Sequence, residues 1–322
     1  MKDFSPSDLK TILHSKRANL YYLEYCRVMQ KDGRVLYLTE EKKDHQYWNI
    51  PIANTTVILL GNGTSITQAA VRMLAQAGVL IGFCGGGGTP LYMANEIEWF
   101  SAQSEYRPTQ YLQGWLQHWF DDDWRLQAAK QFQTARINYL KQVWSKDSDL
   151  KQEGFTLDDA SLETAFQRFD KRTQAADKSS ELLLTEAQLT KALYKFSANI
   201  TKTDAFKRQH QSTDLANDFL NHGNYLAYGL AATTLWVLGI PHGFAVMHGK
   251  TRRGALVFDV ADLIKDALIL PWAFICAKEK ATEQEFRQQC LQAFTDHKAL
   301  DYMFDQVKNI ALQGQSEESV DL

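Results

Sequence analysis

Over the first hundred residues the apolar positions come in short runs bounded by turn residues. Ala18–Cys26, Arg34–Thr39 and Thr56–Leu60 are brief and rich in β-branched and aromatic side chains, a pattern that predicts strands. Thr67–Ala77 differs, because Ala69, Ala70, Met73 and Leu74 recur at helical spacing. Gly78–Cys84 reads as another strand. From about Ser101 the period becomes helical throughout. Tyr111–Trp144 is a long helix-forming stretch in which Leu112, Trp115, Leu116, Trp119 and Phe120 repeat at three and four. Asp147–Ser180 is charged and poor in apolar residues, which predicts an inserted helix with mobile flanks. Helical periodicity returns at Leu182 and runs to about Leu312, and the polar stretch Gln313–Ser319 reads as disordered. The expected fold class is α+β: a β-rich domain over 1–100, then a larger all-α domain over 101–322.

One stretch resembles a membrane span. Tyr225–Met247 has no formal charge apart from a protonated His242, but Gly239-Ile-Pro-His-Gly243 interrupts it, and a bilayer span needs about 20 unbroken apolar residues. A buried helix followed by a turn is the better reading, with no membrane partner. The 322 residues are 45% hydrophobic, enough for a substantial core, and the net charge of -3 excludes a polybasic or polyacidic tail protein but not a local basic patch. Cys26, Cys84, Cys276 and Cys290 are scattered, which suits reduced thiols rather than a disulfide framework or a zinc ribbon. The start, MKDFSPSDLK, lacks the apolar core of a secretory signal, so a cytoplasmic location is expected.

Candidate chemistry begins at Glu186. On the helix predicted over Ser180–Ala198, Leu182, Leu189 and Leu193 stand at -4, +3 and +7 from it, so the carboxylate falls within the apolar stripe. Burying an unpaired charge is costly, so Glu186 either sits at the stripe's edge beside a lysine or meets a metal ion. Asp259, Asp262 and Asp266 are spaced three and four apart and share one helical face. A solvated acidic face explains that spacing; so does a divalent cation that relieves their mutual repulsion. A single histidine such as His248 is by itself more often structural than a ligand. Taken together, Glu186, His248, Asp259 and Asp262 offer one nitrogen and several hard oxygens. That set suits Mg²⁺ or Mn²⁺, the imidazole favouring Mn²⁺, and is a poor structural zinc site. Lys250, Arg252 and Arg253 stand nearby in sequence, and Lys191, Lys195 and Lys202 follow Glu186, then Lys207-Arg208. Cations flanking a hard-metal set suit a phosphodiester substrate. Gly85–Thr89 lacks the ending of a nucleotide P-loop and reads as a turn or hinge. Gly61–Ser65 reads as a strand-to-helix turn with Thr64 or Ser65 as N-cap.

At these residues the chain resembles the CRISPR-associated spacer-acquisition integrases, the Cas-one family, and within it the subtype I-F branch. Glu186 with Ala192 and Tyr194 is similar to the family's helix bearing the catalytic glutamate. Asn217-Asp-Phe-Leu-Asn221, running on to Leu238-Gly-Ile-Pro-His-Gly243, resembles the family's Asn-x-x-Leu-Asn helix and the turn before its histidine. His248 and then Phe258-Asp259-Val-Ala-Asp262-Leu resemble the histidine and paired aspartates, while Leu60–Thr67 and Leu80–Gly85 resemble parts of the β-domain. The likeness spans most of the chain. It departs in a shorter Gly-Ile-Pro-His-Gly turn, in Asn221-His-Gly-Asn-Tyr225, which lacks the usual Tyr-Gly, and in a longer charged stretch at 147–180.

The resemblance implies that Glu186, His248 and Asp262 bind the metal, with Asp259 a nearby second carboxylate needed for activity or for a second ion. It implies an N-terminal β-sandwich-like dimerisation domain and a helical catalytic domain. The homodimer would be bridged by the Cas-two protein, expected fused to a Cas-three nuclease-helicase. The implied reaction is transesterification, the 3′-hydroxyl of a captured double-stranded DNA fragment attacking a phosphodiester at the edge of a CRISPR repeat. Two alternatives stand beside it: a metal-dependent endonuclease on branched DNA, with water as nucleophile, and a non-catalytic DNA-binding scaffold. A small-molecule metallohydrolase is disfavoured by the surrounding Lys and Arg.

Overall fold

The structure, a computed structural model, describes residues 19–41, 44–85, 98–100, 109–203, 206–209, 214–249 and 254–313. The chain divides into two compact units, Met1–Arg107 and Pro108–Leu322. Lys250, Arg252, Arg253, Gly86–Gly88 and most of the polar tail lie outside the described residues.

The first unit is built on two four-stranded sheets. One has the order β1 (Asn19–Leu23), β5 (Thr55–Leu60), β7 (Leu80–Phe83), β8 (Glu98–Phe100); the other runs β4 (Asp44–Ile50), β3 (Arg34–Glu41), β2 (Cys26–Lys31), β6 (Ser65–Ile66). β1, β5 and β7 are parallel, and every residue of β5 is buried, as expected of a strand covered on both faces. The run Ala18–Cys26 is two strands rather than one, because Tyr25 takes a left-handed φ of 47° and turns the chain between the sheets. Asp32-Gly33 closes the β2–β3 hairpin with φ of 50° and 72°, the two-residue turn such a pair favours. Helix α1 (Gln68–Gln76) is capped by Thr67, whose side chain accepts from the Ala70 amide; the expected caps are displaced, since Ser65 pairs in β6. Ala70 and Leu74 pack with Leu23, Val28, Val35, Ile58 and Ile81 in the core of this unit.

The second unit is helical. The predicted helix over Tyr111–Trp144 is broken into α2 (Gln110–Trp119) and α3 (Asp122–Lys146), where Asp121 accepts from the amides of Asp123 and Trp124. Residues 147–180 depart from the expected mobile insertion. They form α4 (Ser148–Gln152) and α5 (Ala160–Ala175), which bury Leu150, Leu162, Phe166 and Phe169, and Phe155 between the two helices is buried as well. Phe155 meets Trp144 and Phe196 edge-on, so a few large aromatics do the work of many smaller residues. Helices α6 (Ser179–Thr201) and α7 (Leu215–Leu238) follow. Helix α8 (Ala255–Ile264) runs through a π-helical turn (Lys265–Ile269) into α9 (Leu270–Glu279), and α10 (Glu283–Asp296) and α11 (Ala299–Ala311) complete the unit. Gly239 caps α7 in the left-handed region, so the uncharged stretch is a buried helix with a turn, and among the described residues no helix is long and apolar enough to cross a membrane.

Candidate metal centre

Glu186 lies on α6 in the stripe its neighbours define, with Leu182, Leu189 and Leu193 all buried and its own side chain 16% exposed. Its partner is not a lysine. Arg136 of α3 places Nη1 3.2 Å from Oε1, and Gln133 donates to Oε2 at 3.2 Å. Arg136 is in turn held by Asp266, to whose Oδ2 its Nε donates at 2.6 Å.

The expected acidic face of α8 is not solvated. Asp259, Asp262 and Asp266 are all buried, and each points to a different task. Asp259 binds the segment ahead of its own helix, accepting from the amides of Val246 (2.8 Å), Met247 (3.2 Å) and His248 (3.1 Å). Its Oδ1 also sits 2.7 Å from His248 Nδ1. That bond fixes the imidazole with Nε2 facing Asp262 at 3.8 Å, the carboxylate–histidine arrangement typical of metal sites. Trp115 and Trp119 of α2 hold the same segment by donating to the carbonyls of Phe244 and Ala245 at 3.1 and 2.9 Å.

Asp266 misses the face expected of it because regular α-helix stops at Ile264. Pro271 has no N–H to give Ala267 four residues back, and the Ala267 carbonyl instead accepts from Trp144 Nε1 at 3.0 Å. The wider π turn accommodates that loss and aims Asp266 at Arg136, while Lys265 pairs with Asp262 Oδ1 and lies 5.3 Å from the centre of the Tyr228 ring.

One oxygen each from Glu186 and Asp262 and one nitrogen of His248 lie within 4.8 Å of one another. Hard oxygens, an imidazole Nε2 turned inward, and Asp262 oxygens that accept no aligned hydrogen bond among the described residues fit Mg²⁺ or Mn²⁺. Burial, then Asp262, pushes the Glu186 carboxyl above its ordinary value despite Arg136, His248 and Lys265. Burial would also raise Asp262, but Lys265, Arg136 and His248 outweigh it and hold the group below its ordinary value. Burial lowers His248, yet the Asp259 hydrogen bond and the charges of Asp262, Asp259 and Glu186 prevail and leave it raised. Two buried carboxylates and a histidine whose neighbours favour its cationic form make a site that attracts positive charge.

The three side chains border an open groove of about 1230 Å³. Lys191 and Lys195 of α6 line it with Lys202, which caps that helix, and with Lys207 and Arg208. Arg208 is braced by Asn217 and Asn221 of α7 at 2.9 and 2.6 Å. Asp259 stands behind His248 and outside the three-residue group. Gln133, Arg136 and Lys265 were not read from the sequence as site residues. Arg136 carried a usable signal, lying four residues from both Phe132 and Leu140 in an apolar stripe, as Glu186 does in its own.

The described residues thus define an α+β chain whose helical part gathers a glutamate, a histidine and an aspartate that could hold a metal ion. A profile of CRISPR associated protein Cas1 matches residues 20–307. The chain is 58% identical over 314 residues to the CRISPR-associated endonuclease Cas1 of Pectobacterium atrosepticum, covering 96% of each chain. It is 57% identical over 317 residues to that of Pseudomonas aeruginosa, covering 97% of this chain and 98% of the relative. The crystal structure of a TtCas1–DNA complex shares the fold at a TM-score of 0.61 and 20% identity, covering 94% of this chain and 95% of that one. The chain belongs to the Cas1 family.

Proposed function

We propose that this chain is a metal-dependent DNA endonuclease and integrase of CRISPR adaptation, joining captured DNA fragments to a repeat array. The observation that carries the reading is the convergence of Glu186, His248 and Asp262 beside a groove with Lys191 and Lys195 on its wall. Glu186, His248 and Asp262 would hold one Mg²⁺ or Mn²⁺, which when bound supplies charge stabilisation for phosphodiester exchange. The lysines of α6 bind the flanking phosphates. Asp259 keeps the proton on His248 Nδ1, so that Nε2 faces the site. In the exchange the 3′-hydroxyl oxygen of the fragment forms a bond to phosphorus as the bond to the repeat strand's 3′-oxygen breaks. The proton lost by the first oxygen balances the one gained by the second, and no nucleotide is consumed.

Lys250, Arg252 and Arg253 belong to the same DNA-binding set in this reading. Dimerisation through the first hundred residues, a Cas-two protein fused to a Cas-three nuclease-helicase as partner, and action in the cytoplasm complete it. The name endonuclease carried by both curated relatives favours a second activity, hydrolysis of branched DNA with water as nucleophile at the same ligands. The test is strand joining by the purified protein with a 3′-hydroxyl donor and Mn²⁺. We expect Glu186→Gln, His248→Ala and Asp262→Asn each to slow it about a hundredfold or more, equivalent to about 2.7 kcal/mol in the barrier. Joining at the wild-type rate by His248→Ala would contradict the assignment, and cleavage without joined product would leave hydrolysis alone.

A further inference from the structure

Gln133 and Arg136 stand one turn apart on α3, both almost wholly buried, and each approaches a different oxygen of Glu186. Gln133 Nε2 donates to Oε2 at 3.2 Å and Arg136 Nη1 lies 3.2 Å from Oε1. Neither is free to move. Arg136 also gives Nε to Asp266 at 2.6 Å and Nη2 to Thr190 at 3.2 Å, and Gln133 Nε2 lies 3.3 Å from the sulfur of Met247, the residue before His248.

We propose that Gln133 and Arg136 are positioning residues of the metal site, holding the Glu186 carboxylate in the orientation that faces His248 and Asp262. They act through Glu186 and are not ligands themselves. The division of charge matters as much as the geometry. Arg136 approaches Asp266 to 2.5 Å but Glu186 only to 3.2 Å, so Asp266 takes most of the guanidinium's charge and Glu186 keeps its own for a cation. A glutamate without these two contacts would have three rotatable bonds to order on binding metal, and outer contacts of this kind are worth roughly tenfold to a hundredfold in metal affinity.

The inference rests on the metal-site reading above, and the test separates the two. Mn²⁺ binding to the full chain is measured by electron paramagnetic resonance of the free ion, for wild type, Gln133→Leu, Arg136→Lys and Glu186→Gln, alongside unfolding in chelator. Gln133→Leu leaves no buried charge unpaired, so it is expected to unfold as cooperatively as wild type while its Mn²⁺ affinity falls about tenfold to a hundredfold. Raised Mn²⁺ should then restore its strand-joining rate, which a lesion in the chemical step would not allow. Arg136→Lys, which keeps the cation and loses the fork, should fall by a similar factor. Wild-type Mn²⁺ affinity in Gln133→Leu, with binding abolished in Glu186→Gln, would overturn the positioning role and leave the function standing. Failure of the wild-type protein to bind Mn²⁺ would overturn both.

Discussion

Asp259 gives its carboxylate to the chain itself. Three amides and the imidazole of His248 converge on it, so its two oxygens have four donors before any metal arrives. Asp259→Ala should therefore act on the 245–248 segment first. We expect it to lower unfolding stability by about 3 kcal/mol or more, measured in urea, because several buried donors lose their acceptor together. Hydrogen exchange at the Val246 and Met247 amides should accelerate with it; unchanged exchange would contradict the role. His248 sets the pH dependence. In the metal-free protein its raised pKa means that the imidazolium contributes stability fully present below its unfolded value, about 6.5, and lost as pH rises through the higher folded value. A metal ion at Nε2 would replace that proton, so the Mn²⁺-induced rise in Tm should grow as pH rises above about 6.5 through the same window. A pH-independent rise would remove His248 from the ligand set.

Helix breaks do more for the site than helix propensities. The π turn at Lys265–Ile269 is seated against α7 at Gly223, where a Cβ would lie 2.4 Å from Ile269 Cγ2 and 3.0 Å from Phe286 Cζ. Alanine there would gain about 1 kcal/mol in helix propensity, but the clash falls on the buried Ile269 side chain and Phe286 ring, which have nowhere to go. We expect Gly223→Ala to destabilise by a net 1–2 kcal/mol or so in thermal or urea unfolding, and greater stability than wild type would contradict the packing. The sequence carried one cause of this turn, Pro271, without its consequence. Strict 3.6-residue periodicity carried Asp266 onto the face of Asp262, whereas the missing N–H and the Trp144 donor redirect it to Arg136. Period reasoning also joined α2 to α3, although Asp121 reads as an N-cap once the break is known.

Across the whole molecule, what local pattern can carry was legible. The change from strand to helix texture near residue 100, the burial of most of 226–238, and Glu186 as an anomaly within an apolar stripe all follow from periods of two and 3.6. What could not be read was long-range. That Arg136, fifty residues upstream of Glu186, replaces the expected lysine depends on how α3 packs on α6 and α8, and no local period encodes it. The order-giving aromatics of 147–180 were likewise hidden among charges, since Phe155 and Phe166 count for little in a composition average. The family likeness supplied the joining of Glu186, His248 and Asp262 that spacing alone left open.

The most direct test of the account is a crystal soaked in Mn²⁺, with data collected at the manganese absorption edge. We expect one anomalous peak within about 2.5 Å of a Glu186 carboxylate oxygen, His248 Nε2 and an Asp262 oxygen, the reach of a hard six-coordinate ion. At saturating Mn²⁺, an empty map there, or a peak bound by other residues, would contradict it.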